Sequence, residues 1–178
     1  MKTMKKVLCI LLALGMIVAL AACGSKQAET KNTYKTVVDG KLTVATSPDF
    51  APYEFYAVKD GNPELAGFDV ALAGYIANYL GLELEIIPMD FDVLNELASK
   101  NVDLGLAGLS PDPKRADSMD FSTIYYQGGQ SFVTVQENKD LFSSLEDTNN
   151  ASYSIGAQNG SIQMDLANEY SADADIVS

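Results

Sequence analysis

Histidine is absent, arginine occurs once, at Arg115, and the two cysteines, Cys9 and Cys23, both fall within the first 23 residues. Beyond Cys23 the chain therefore has no disulfide, no thiol nucleophile and no Cys or His metal ligand, which removes most nucleophilic catalysis from consideration. Positive charge is scarce as well. Twelve basic residues stand against 24 acidic ones, a net charge of -12. That balance argues against nucleic acid or an anionic membrane surface as partner, because both demand a basic footprint. The long apolar run is confined to the start: Lys2, Lys5 and Lys6 precede a run from Val7 to Ala22 that ends in small residues. This is the pattern of a secretory signal peptide over 1–22, and it falls short of the roughly 20 apolar residues that a spanning helix needs. The rest of the 178 residues, in a chain that is 47% hydrophobic, suits one or two small domains with a real core.

Leu20 to Cys23 reads LAAC, which resembles a bacterial lipobox and would make Cys23 a lipidated first residue; ordinary signal cleavage nearby is the plainer alternative. Residues 23–36 are polar and lack periodicity, so a flexible tether is expected there. Lys41 to Thr46 is a β-branched strand after the Asp39-Gly40 turn, and the loop from Ser47 to Phe55 holds Phe50 between two prolines that stiffen it. Asp60-Gly61-Asn62-Pro63 marks a turn. Phe68, Leu72, Tyr75, Ile76 and Tyr79 recur at helical spacing as a core stripe, with Gly81 as the cap. Leu82 to Ile87 predicts a strand and Asp90 to Lys100 a second amphipathic helix, in which Asp90 and Asp92 read as caps and dipole partners. Val102 to Leu109 predicts a buried strand, thinned by Gly105, Ala107 and Gly108. Strand, helix, strand, helix, strand is the order of a parallel α/β sheet, whose ligands bind beyond the carboxyl ends of the strands.

Arg115 lies just there. In SPDPKR, Asp112 suits an N-cap and Pro113 the first helical position, which puts Lys114 and Arg115 in a first turn where cations are unfavourable unless something negative joins them. A guanidinium fork, the Ser110 hydroxyl and free backbone N–H groups together suit a carboxylate. The plainer alternative is a surface pair with Asp117 or Asp120. Further on, a strand is expected at Gln130 to Val135, a short helix around Leu141 to Leu145, a strand at Ser152 to Ala157, a helix from Ile162 to Tyr170 and a strand from Ala174 to Val177. Gly160 and Ser161, between a strand and a helix, make a second anion nest.

The segment AGLSPDPKRADSMDFSTIYY resembles that of the type 3 extracellular solute-binding proteins, the polar amino-acid receptors of ABC importers, with order and spacing agreeing from Asn101 to Tyr126. The resemblance implies a periplasmic-binding-protein-like α/β fold of two lobes, mixed or parallel sheets flanked by helices, with the first lobe at 37–128 and a partial second lobe at 129–178. It implies that Arg115 clamps a ligand's α-carboxylate, that Gly108 and Ser110 supply backbone and hydroxyl contacts, and that Phe50 walls the ligand side chain with Ser47 as a polar contact. Gly160, Ser161 and Gln163 match contacts of the second lobe, Gln158 falls where members differ with ligand, and Gly128 and Gly129 sit at the entry of a hinge. Phe50, Tyr53 and Phe55 can also be read as loop aromatics covering the core.

Family members run beyond this C-terminus, so the chain is expected to be a fragment whose α-amino contact lies past residue 178. The implied function is an amino-acid-binding component of an ABC transporter, anchored outside the cell through Cys23, monomeric, with the ligand and a membrane permease as partners, no cofactor and no nucleic acid. Two other readings stay open: an enzyme on the same fold, a dehydratase or peptidoglycan lyase, and the sensor module of a receptor.

Overall fold

A computed structural model describes residues 34–178 other than 95, 96, 98 and 99. The expected signal peptide, the lipidated Cys23 and nearly all of the expected tether lie outside the described residues, as does the middle of the helix expected over 90–100.

Strand β1 (Lys41–Thr46) is buried from Leu42 onward, and a strand with no wet face needs apolar or β-branched side chains throughout, which LTVAT supplies. It pairs in parallel with β5 (Glu83–Pro88) on one edge and β6 (Leu104–Gly105) on the other, in the order β5-β1-β6, with Val44 opposite both Ile86 and Leu104. The alternation along β1 serves two layers. Leu42 and Val44 pack with Ala73 and Ala77 of α1 (Phe68–Leu80), while Ala45 packs on the other face with Leu94 of α2 (Phe91–Leu94) and Ala107. The stripe read as core on α1 divides: Leu72 and Ile76 do pack, but Phe68, Tyr75 and Tyr79 stay 48%, 68% and 78% exposed. Two alanines bring the helix close to the sheet and leave no space beneath it for rings. Gly81, at φ 69°, ends the helix by donating its N–H to the Ala77 and Asn78 carbonyls.

Between β1 and α1 the chain forms a three-stranded antiparallel sheet, β2 (Asp49–Phe50), β3 (Glu54–Lys59) and β4 (Asn62–Ala66). Asp60 and Gly61 have φ of 51° and 81°, the two positive angles that a two-residue type I′ hairpin requires. At the far end of the chain, β7 (Ser154–Gly156), α3 (Ile162–Tyr170) and β8 (Asp175–Val177) make a parallel βαβ unit.

Three expected elements come out differently. Val102–Leu109 forms a ladder only at β6, bracketed by Asp103 N–H to Thr43 O at 3.0 Å and Leu106 N–H to Ala45 O at 2.9 Å, before the chain leaves the sheet towards Gly108. The strand expected at Gln130 to Val135 pairs with nothing among the described residues, because the C-terminal sheet holds only β7 and β8; Val133 is 90% exposed. The helix expected around Leu141 to Leu145 is replaced by a single 3-10 turn at Glu146–Thr148, where the Asp147 carboxylate accepts the Ser143 and Ser144 N–H groups and satisfies them outside a helix.

Candidate ligand-binding site

Arg115 sits at the end of one 3-10 turn, Pro113–Arg115, rather than in the first turn of an α-helix. Asp112 caps that turn as expected, its carboxylate accepting Lys114 N–H at 2.8 Å. The guanidinium is half-buried and reaches in two directions: Nη1 donates to the Ser110 carbonyl and Nη2 to the Gly160 carbonyl, each at 3.0 Å. Neither Asp117 nor Asp120 pairs with it, so the surface ion pair is not the arrangement found. One side chain therefore links the loop after β6 to the loop before α3.

Around it lies a cavity of about 410 Å³, within the range usual for small-molecule sites. Of the expected site residues, Phe50, Gly108, Ser110, Arg115 and Gln163 line it, whereas Ser47, Gly160 and Ser161 do not. Ser47 is buried and donates its hydroxyl to Asp49 at 3.1 Å. The Ser161 hydroxyl donates to the Gln158 carbonyl at 2.6 Å and accepts Met164 N–H at 3.1 Å, acting as the N-cap of α3. Gly160 touches the site through its carbonyl on Arg115. Gln158 and Gln163 each make a cross-link, to Asp49 at 2.8 Å and to Gln130 at 2.8 Å, and Lys114 pairs with Asp165 at 2.9 Å, which raises the lysine's pKa.

Phe50 is 42% exposed and stacks on Tyr53 with ring centroids 5.2 Å apart; Tyr53 meets Tyr126 edge-on at 5.3 Å. A hydrogen bond with Tyr126, together with burial, holds the Tyr53 phenol above its ordinary pKa. Tyr53, Tyr125 and Tyr126 also line the cavity, and spacing alone gave no sign that all three rings belong to the site. Gly108 has φ +56°, and a Cβ there would stand 3.2 Å from the Phe50 ring. Its N–H is donated to Asp69 at 2.9 Å. Asp69 also accepts the Tyr125 hydroxyl, at 3.2 Å to each oxygen, and burial followed by Asp69 raises that phenol's pKa. Next to Asp69 is Glu54, 0% exposed, whose pKa is pushed up to about 9 by burial first and by Asp69 second. The bond from Gly108 to Asp69 spans 39 positions of sequence, and no local pattern encodes it.

A larger hollow of about 900 Å³ lies in the C-terminal part, but its one basic side chain, Lys139, already pairs with Asp140 at 3.5 Å. No group of three or more potential metal ligands occurs among the described residues.

The family model for bacterial extracellular solute-binding proteins, family 3, matches residues 42–172. The chain is 37% identical over 169 residues to the arginine-binding extracellular protein ArtP of Bacillus subtilis, covering 94% of this chain and 61% of that protein. It is 30% identical over 129 residues to the cyclohexadienyl dehydratase of Pseudomonas aeruginosa, covering 72% of this chain and 47% of the enzyme. Among solved structures, the amino acid ABC transporter substrate-binding protein AbpA of Streptococcus pneumoniae, bound to L-arginine, superposes with a TM-score of 0.73 at 39% identity, covering 78% of this chain and 58% of that one. The fold is thus that of the periplasmic amino-acid-binding proteins, and the chain spans about three fifths of the length of these binding-protein relatives.

Proposed function

The chain belongs to the bacterial extracellular solute-binding proteins of family 3, and from that premise we propose that it captures a polar amino acid outside the cell for delivery to a membrane permease. Arginine is the first candidate, since ArtP and AbpA carry it in their names or bound in their structure. The observation that supports this reading most is the position of Arg115: a half-buried guanidinium on the wall of an aromatic cavity, hydrogen-bonded to Ser110 on one side and Gly160 on the other. A ligand carboxylate offers that fork a charged partner in place of neutral carbonyls, a stronger bond, and one that can draw the two loops together on binding. Phe50 and Tyr53 then face the ligand's side chain, and an aromatic face suits a guanidinium. Extracytoplasmic location and a lipid anchor on Cys23 complete the proposal, supported by the family and by the LAAC motif.

A second reading comes from the dehydratase relative. Elimination needs a placed acid or base, and the described cavity walls carry Arg115 and tyrosines but no Asp, Glu or Lys. Thermal unfolding against the twenty amino acids and cystine separates the two readings when run beside an assay for product from prephenate or arogenate. A shift of the transition with arginine, about 2.7 kcal/mol of added stability at a hundred times the dissociation constant, is expected. Turnover without any amino-acid shift would overturn the binding assignment.

A further inference from the structure

Behind the pocket, Glu54 and Asp69 are the buried acidic side chains among the described residues, 0% and 1% exposed. No N–H or O–H among those residues donates to either Glu54 oxygen. Its neighbour is Asp69, whose N–H donates to the carbonyl of the adjoining Tyr53 at 2.9 Å and whose carboxylate already accepts Gly108 N–H and the Tyr125 hydroxyl. A buried acid beside an acceptor, with no donor from the protein, is satisfied by that neighbour when it keeps its proton and donates it. We propose that Glu54 is a positioning residue for the ligand pocket, acting through Asp69, which fixes the Gly108 amide on one side and the Tyr125 hydroxyl on the other. The proposal rests on the reading of the cavity as an amino-acid site.

The unit ties together β3, the start of α1, the loop that leads to Arg115, and the segment running on to the C-terminal part; Gly108 and Tyr125 both line the cavity. Loss of the proton would set two buried carboxyl groups against each other. The titratable groups facing Glu54 are Asp69 from α1, Asp49 from β2, and the phenols of Tyr53 and Tyr125, none of which brings a positive charge. Asp69 then loses its orientation, and the Gly108 amide its acceptor.

The test is the ¹⁵N NMR signal of the Gly108 amide in the full chain, followed from about pH 6 to 10, with an L-arginine titration of the same samples. In the wild type the signal should move with the titration of Glu54; in Glu54→Gln, where an amide keeps the donor at all pH values, it should stay fixed. Tyr125→Phe, which removes one donor to Asp69, should shift the Gly108 signal through the carboxylate that both groups share. Wild-type arginine affinity should fall towards tenfold per pH unit more steeply than that of Glu54→Gln above about pH 9, a comparison that cancels the titration of arginine's own amino group. A Gly108 signal that ignores pH, or moves alike in wild type and Glu54→Gln, overturns the coupling. If the signal follows Glu54 but no amino acid binds, the coupling stands and the ligand reading falls.

Discussion

Glu54→Gln also has a consequence for stability that needs no ligand. The folded chain holds a proton on Glu54 up to about pH 9, against an ordinary carboxyl value of 4.5. An unfolded chain releases that proton between those values, so the native state binds one more proton than the unfolded state across the window. Stability from this group is complete below about pH 4.5 and is lost as pH rises through 9, at about 1.4 kcal/mol per pH unit, or about 3 kcal/mol between pH 5 and 7. The glutamine has the same shape and no proton to lose, so its stability should lack that slope. Urea unfolding of both chains at several pH values between 5 and 9 measures it, and the difference between them cancels the titration of other acids. Parallel curves for wild type and variant would refute the claim that Glu54 is a buried neutral acid.

Three further perturbations follow from the geometry. Gly67→Ala puts a Cβ 2.1 Å from the Tyr53 carbonyl at φ 123°, and should lower stability by at least about 2 kcal/mol in the same urea assay, more than the reduced freedom of the unfolded chain can offset. Gly108→Ala strains a left-handed residue by about 1–2 kcal/mol and pushes on the Phe50 ring, so arginine affinity by calorimetry should drop about tenfold while the chain still folds. Asp103→Ala strands the buried Thr43 N–H and turns the exposed Val37 N–H over to water, both of which its carboxylate now accepts at 2.8 Å, costing about 2 kcal/mol at neutral pH. Burial opposes the charge on Asp103, but those bonds and the Thr43 hydroxyl hold its pKa below the usual 3.8, so this stabilisation should persist above pH 4 and vanish in acid unfolding as pH falls through the folded value.

The parallel sheet was legible because its central strand is buried on both faces and leaves a run, LTVAT, that has few other uses. The hairpin β3–β4 was half legible: Asp60-Gly61 announced the turn, but the flanking strands alternate weakly, with Tyr56 and Val58 facing water, so only the turn could be read. Arg115 stood out by being alone of its kind, and its cap Asp112 by local chemistry. What could not be read were contacts between residues far apart in sequence. Gln158 reaches Asp49 across 109 positions and Tyr125 reaches Asp69 across 56, and nothing in local periodicity encodes either. Ser47 and Ser161 had the right chemistry for a ligand, but their hydroxyls are engaged within the protein. The strand expected at Gln130 to Val135 has the right residues, yet a strand exists only where a partner pairs with it.

The claim that Arg115 holds a ligand carboxylate is tested most directly by calorimetric titration of L-arginine and of L-arginine amide, which lacks the free carboxylate, into wild type and Arg115→Ala. Wild type should bind arginine and reject the amide, and Arg115→Ala should lose roughly 2–5 kcal/mol of arginine binding, the usual result of removing one partner of a buried charge pair. Equal affinity for arginine in both chains, or equal affinity of the wild type for arginine and its amide, would contradict the clamp.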